Sequence, residues 1–298
     1  MLAVLTLLSG EPRPCTTFAL VGDVMLGRGV AQSLGDAWDE AFVAVRPWLT
    51  GADVALANLE SPLTRRQQLA VGNDLRAAPE AVQALETGGF DAVSVANNHS
   101  LDAGVAGLLD TMRALCVAGI VPIPDSLSAG NLVPDCTQSG QGTFRVLAFD
   151  DSVALLDLRM AEDLVKRASD ETQIVLVSVH WGGEYQTAVT QRQEEVATAL
   201  AGAGATLVVG HGPHVLQRME WIGGTLVAYS LGNFIFDQRY PTDCRWGAVL
   251  MVAVCGGDVT AVQVLPTVTE EGRVQPAGLD VRPTIESVLG LNSIQYVP

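Results

Sequence analysis

Five short, uninterrupted apolar runs, each ending abruptly in a polar motif, constrain this chain most. Phe18-Ala19-Leu20-Val21 ends at Gly22-Asp23, and Val54-Ala55-Leu56-Ala57 ends at Asn58-Leu59-Glu60. Ala92-Val93-Ser94-Val95 leads into Asn97-Asn98-His99, residues 174–179 lead into His180, and Leu207-Val208-Val209 leads into Gly210-His211. Runs that are apolar at nearly every position suit strands buried on both faces of a layered α/β sheet. Helical patterns lie between them at 37–49, 79–87, 105–118 and 194–203, each closing at Gly or Pro. The later part changes character. Residues 217–221 and 225–230 around Gly223-Gly224 read as a β-hairpin, as do 248–254 and 259–265 around Gly256-Gly257-Asp258.

Three segments follow: an N-terminal extension 1–16, a main domain 17–267 and a C-terminal tail 268–298 of weak periodicity that packs on the domain. The stretch 119–142, rich in Pro, Ser, Gly and Asp, reads as an irregular excursion or lid. Ligands of open α/β sheets bind at the carboxyl edge of the strands. Five strands of one sheet would therefore deliver Asp23, Glu60, Asn98 with His99, His180, and His211 with His214 to one cleft.

All four histidines of the chain stand in these motifs. Asp, Glu, Asn and His together form an oxygen and nitrogen donor set that suits Mn, Fe or Zn, singly or as a pair. A divalent ion lowers the pKa of its water to roughly 7 and clamps a phosphoryl centre. A histidine off the metal, such as His99 oriented by Asp102, would act as general acid. Asn58, Arg28, Trp181 and Glu184 are candidates for substrate contact. Arg28 meets an anionic group or pairs with the nearby Asp23; Trp181 packs or stacks on substrate. No Gly-x-Ser-x-Gly elbow occurs, and no cysteine neighbours a histidine motif.

Composition narrows the partners. A net charge of −16 disfavours nucleic acid and anionic lipid, and leaves any anion site dependent on local positive charge such as a metal. No segment approaches the roughly 20 apolar residues of a spanning helix. The apolar run 1–8 is short and carries no basic flank, a weak signal-peptide pattern. The five widely spaced cysteines, with no Cys-x-x-Cys, read as free thiols in a reducing compartment.

Seven ordered motifs between about residues 18 and 237 closely resemble the bacterial CapA capsule-synthesis family, also called poly-γ-glutamate biosynthesis proteins. They are Gly22-Asp23-Val24-Met25-Leu26-Gly27-Arg28, Asn58-Leu59-Glu60-Ser61-Pro62, Gly89-Phe90-Asp91, Ala96-Asn97-Asn98-His99 with Asp102 and Gly104, His180-Trp181-Gly182 with Glu184-Tyr185, residues 210–215, and Tyr229-Ser230-Leu231-Gly232-Asn233-Phe234. That family looks like a branch of the calcineurin-like metallophosphatases, so the resemblance implies a four-layer α/β/β/α sandwich. It implies Asp23 as first metal ligand, Glu60 as bridging carboxylate, and Asn98 and His180 on a second metal. It also implies His99 as leaving-group acid and His211 with His214 as the last ligands. The phosphatase pattern wants a histidine where this chain has Met25, so one metal or a weakened second one is expected. Two functions compete: a metal-dependent phosphoester hydrolase of capsule, poly-γ-glutamate or other envelope polymer metabolism, and a non-catalytic accessory holding metal or an anionic polymer end in a capsule-synthesis complex. The missing signal points to the cytoplasm, whereas the family's envelope role points outside it.

Overall fold

The computed structural model describes residues 14–70, 72–128 and 143–290. Through them the chain runs β1 (Cys15–Val24), α1 (Arg28–Leu34), α2 (Arg46–Leu49), β2 (Val54–Leu59), α3 (Val82–Gly88), β3 (Ala92–Ser94), α4 (Gly104–Val117), β4 (Val121–Ile123), β5 (Phe144–Asp150) and α5 (Leu158–Glu171). It continues β6 (Ile174–His180), α6 (Gln191–Gly202), β7 (Leu207–His211), β8 (Leu216–Ile222), β9 (Thr225–Leu231), β10 (Asn233–Ile235), β11 (Trp246–Cys255), β12 (Asp258–Glu270), β13 (Arg273–Pro276) and α7 (Arg282–Leu289).

The strands make two sheets, as the four-layer sandwich requires, and this corrects the placing of all five motif-bearing strands in a single sheet. The larger has the order β13-β12-β11-β1-β2-β3-β4, with β10 also on β1; the smaller has the order β5-β6-β7-β9-β8. A strand buried on both faces is apolar at every position whichever sheet holds it, so its sequence does not say which. Successive side chains point to opposite faces. Phe18 and Leu20 therefore enter the core between the sheets, while Ala19 and Val21 enter the core beneath α1, α3 and α4. In the second sheet Leu176 faces the middle, and Val175 and Val177 pack with Val165 of α5 and Leu200 of α6. The result is the α/β/β/α sandwich.

Both hairpins form where expected, as β8–β9 and β11–β12. The helical stretch 37–49 is broken into a 3-10 turn, Trp38–Glu40, and the short α2, which Pro47 opens. Proline fits a first helical turn, where its missing N–H satisfies nothing, but not a helix interior. Beyond position 268, β12 runs on to Glu270 and α7 buries Ile285 and Leu289 between the sheets. Most of the 119–142 excursion, from 129 on, and the apolar run 1–8 lie outside the described residues.

The cysteine expectation is also corrected. Cys15 and Cys255 form a disulfide across 240 residues of sequence, Cys116 is disulfide-bonded as well, and Cys244 is free and buried. The antiparallel register of β1 on β11 sets Cys15 opposite Cys255, a proximity no local spacing reveals. At the other end of β1 its partner changes from β11 to β10, and Asp23 comes to lie beside Asn233. Gly22 permits that crossing, since a Cβ there would stand 1.9 Å from the Gly232 carbonyl oxygen.

Candidate metal centre

The pocket opens where the carboxyl ends of β1 and β2 in one sheet meet those of β6 and β7 in the other. Asp23 and Glu60, both fully buried, form its floor. One amide holds the two apart: Asn58 Nδ2 donates to Asp23 Oδ1 and to Glu60 Oε1, each at 3.0 Å. Asn58 Oδ1 accepts from Asn97 Nδ2 at 3.0 Å, and Asn97 also donates to the Leu59 carbonyl at 2.9 Å.

Three imidazoles close the pocket. His180 Nε2 lies 3.1 Å from Glu60 Oε1. His214 sets Nδ1 3.1 Å from both Asp23 Oδ2 and Asn233 Oδ1, and Nε2 3.7 Å from Glu60 Oε2. Both neighbours of Nδ1 are acceptors, so Nδ1 carries a proton and Nε2 faces the carboxylate. His211 Nδ1 stands 3.2 Å from Asp23 Oδ1, without hydrogen-bond alignment. Gly212 makes this loop possible: its φ is +103°, and a Cβ would stand 2.9 Å from Cε1 of His180.

Charge explains the titration. Burial alone would push the Asp23 carboxyl up, but His211 and His214 hold it well below the usual carboxylate range. Burial alone would lower His214, yet Glu60 and Asp23 raise it to about 9. His180 is raised in the same way, burial being outweighed by Glu60. The buried carboxylates thus favour the protonated forms of His180 and His214.

The donors fit a divalent cation. Asp23, Glu60 and His214 each offer a ligand atom within 4.8 Å of the others. Glu60 Oε2 and both ring nitrogens of His211 are buried with no hydrogen-bond partner. Buried polar atoms are nearly always paired, so an unpaired Glu60 oxygen within the Asp23, Glu60 and His214 group suits an ion.

The His99 N–H donates to Asn97 Oδ1 at 3.1 Å, and its partly exposed ring sets Nδ1 2.9 Å from Asp102 Oδ2. Asn98 is exposed, and its neighbour Asn97 joins the buried network instead. Two identical adjacent side chains give no sign of which turns inward. Two of the candidates for substrate contact are buried. Trp181 is buried, stacks on Tyr229 and donates Nε1–H to the Tyr229 carbonyl, which is the packing alternative. Asn58 is buried between the carboxylates. Arg28 does not pair with Asp23 but forks onto Asp237, 209 residues away. Glu184 is exposed beside Tyr185, whose hydroxyl accepts from Gln238 Nε2 at 3.0 Å. Position 25 contributes no ligand, because Met25 is in the core beneath the helices. Burial pushes the Cys244 thiol up to about 12, which disfavours its thiolate as a nucleophile. Asn97 and Asn233 lie in the motifs quoted above without a site role assigned there, and Ser152 lies in none of them; each touches the group through a hydrogen bond.

No helix among the described residues is long and apolar enough to cross a membrane. The family model described as "Bacterial capsule synthesis protein PGA_cap" matches residues 17–123 and 126–238. The chain is 32% identical to "Capsule biosynthesis protein CapA" of Bacillus anthracis, over 87% of this chain and 69% of that protein. It is 30% identical to "PGA biosynthesis protein CapA" of Bacillus subtilis, over 88% and 74%. A "Probable polyglutamine synthesis accessory protein" of Mycobacterium tuberculosis is 26% identical over 94% and 93%. The matched residues include Asp23, Glu60, His180, His211 and His214, and the chain belongs to the bacterial capsule synthesis protein family, PGA_cap.

Proposed function

We propose that the pocket holds a divalent cation, Mn, Fe or Zn, and that the protein hydrolyses a phosphoester or related bond during synthesis of an anionic envelope polymer. The observation that carries this is the buried Asp23, Glu60 and His214 group, whose ligand atoms lie within 4.8 Å of one another with one Glu60 oxygen left unpaired. Asp23, Glu60 and His214 would hold the ion, with His180 and His211 at its sides. Such an ion supplies charge for phosphoryl oxygens and makes water nucleophilic near neutral pH. The Asp102 bond occupies His99 Nδ1, which leaves Nε2 to pass a proton to the leaving oxygen. The relatives' names, for capsule and PGA biosynthesis, supply the polymer context. The disulfide favours an oxidising compartment, and so a place in the envelope.

Elemental analysis of the purified protein, paired with turnover of an aryl phosphate and an aryl phosphodiester in Mn²⁺, tests this. Metal is expected in the protein. His99→Ala should lose about 10²–10⁴-fold in turnover with metal retained. A His180→Ala/His211→Ala double variant with wild-type metal content overturns the ligand assignment. A second reading rests on Met25: with a core residue at a family ligand position, the pocket would bind an anionic polymer end within a capsule-synthesis complex without cleaving it. Saturable binding of an acidic oligomer with no turnover on any ester would favour it.

A further inference from the structure

We infer that Asp150 and Ser152 are positioning residues that fix the proton of His180 on Nδ1 and so present Nε2 to the cation. This rests on the metal reading above for its purpose, though not for its geometry. The last residue of β5, Asp150, lies in register beside His180 at the end of β6. Ser152 turns back onto it, its N–H donating to Asp150 Oδ1 at 2.8 Å and its hydroxyl to the same oxygen at 2.5 Å. A serine hydroxyl has one proton. With that proton on the Asp150 carboxylate, Ser152 Oγ has only lone pairs to offer His180 Nδ1, 3.1 Å away. Nδ1 must therefore be the donor, which leaves Nε2 as the nitrogen that faces Glu60 and can give its lone pair to a cation. That atom lies 3.1 Å from Glu60 Oε1, a gap its proton bridges in the metal-free protein and a cation would bridge in its place.

The loop is built to hold this arrangement. Asp151, the adjacent carboxylate, turns the other way, where Arg192 of α6 grips it through Nε and Nη2 and the Leu156 N–H donates to it at 2.6 Å. The Asp151 N–H donates to the His180 carbonyl at 2.8 Å. Two neighbouring acids thus divide the work: Asp151 anchors the loop, and Asp150 orients the serine.

Outer partners of this kind typically alter metal affinity 10–100-fold. Ser152 is exposed, so Ser152→Ala should fold normally. Two readouts test the inference. In metal-free protein, ¹⁵N-correlated NMR of the ring, assigned by comparison with His180→Ala, should show a proton held on Nδ1 in wild type and Ser152→Thr. Ser152→Ala should shift the ring toward Nε2–H. Mn²⁺ titration should give a Kd at least tenfold weaker for Ser152→Ala and near wild type for Ser152→Thr. An unchanged tautomer in Ser152→Ala overturns the inference, as does an unchanged Kd where wild type binds Mn²⁺. If wild type binds no Mn²⁺, the metal reading falls, and the tautomer readout still decides the positioning role.

Discussion

At the scale of single residues, Asn58 carries an unusual load. Its one NH₂ group keeps two buried carboxylates from meeting directly, and its oxygen is held by Asn97. Hydrogen bonds to charged groups contribute about 1.5–3 kcal/mol each, and an uncompensated buried charge costs several kcal/mol. Asn58→Asp keeps the shape, removes both donors and adds a third acid. We expect it to lower metal-free stability by about 3 kcal/mol. The same charge should strengthen the response to a cation. Thermal melts with and without Mn²⁺ check this: the metal-free midpoint should drop, and the rise on adding metal should exceed that of wild type. An unchanged metal-free midpoint would mean that the amide does not separate the acids.

At the scale of elements, the β7–β8 loop decides whether the imidazoles converge. Gly212, at φ +103°, has the His180 ring against its Cα, whereas Gly223, at φ +61° in the β8–β9 turn, meets nothing within 4 Å. An L-residue in left-handed backbone costs about 1–2 kcal/mol by itself. Gly223→Ala should show only that cost and keep its metal. Gly212→Ala should add a clash that displaces His180, and elemental analysis should find it depleted of metal. Equal metal content in the two variants would deny the loop its positioning role.

The elements also show how far the chain could be read without coordinates. The strands that deliver Asp23, Glu60, His180 and His211 were legible because each buried run stops at a polar motif. Helix α5 was not, since only Ala161, Val165 and Ala168 are buried along a helix otherwise rich in Arg, Lys, Asp and Glu. The division into two sheets left no trace in composition. Nor did the choice of Asn97 over Asn98, the reach of Arg28 to Asp237, or the approach of Ser152 to His180. Each is fixed by backbone direction or by contacts between distant segments, which residue type does not encode.

At the scale of the molecule, the disulfide and the pocket sit at opposite ends of β1, the strand shared by both. Cys15 ties the start of β1 to the end of β11, while Asp23 lies where β1 has passed on to β10. Closing so long a loop restricts the unfolded chain far more than the folded one, and such bonds contribute about 2–5 kcal/mol. Removing them should therefore act on global stability and leave the site alone. A Cys15→Ser/Cys255→Ser variant should melt roughly 5–15 °C lower, given about 2–4 °C per kcal/mol for a chain of this class. Its metal content at room temperature should equal that of wild type. Alkylation of the unfolded, unreduced wild-type chain, followed by mass spectrometry, should leave Cys15 and Cys255 unlabelled. Labelling at both sites would return the protein to a reducing compartment and remove the argument for the envelope. A variant that melts as wild type does would instead show that the sandwich holds β1 in register unaided.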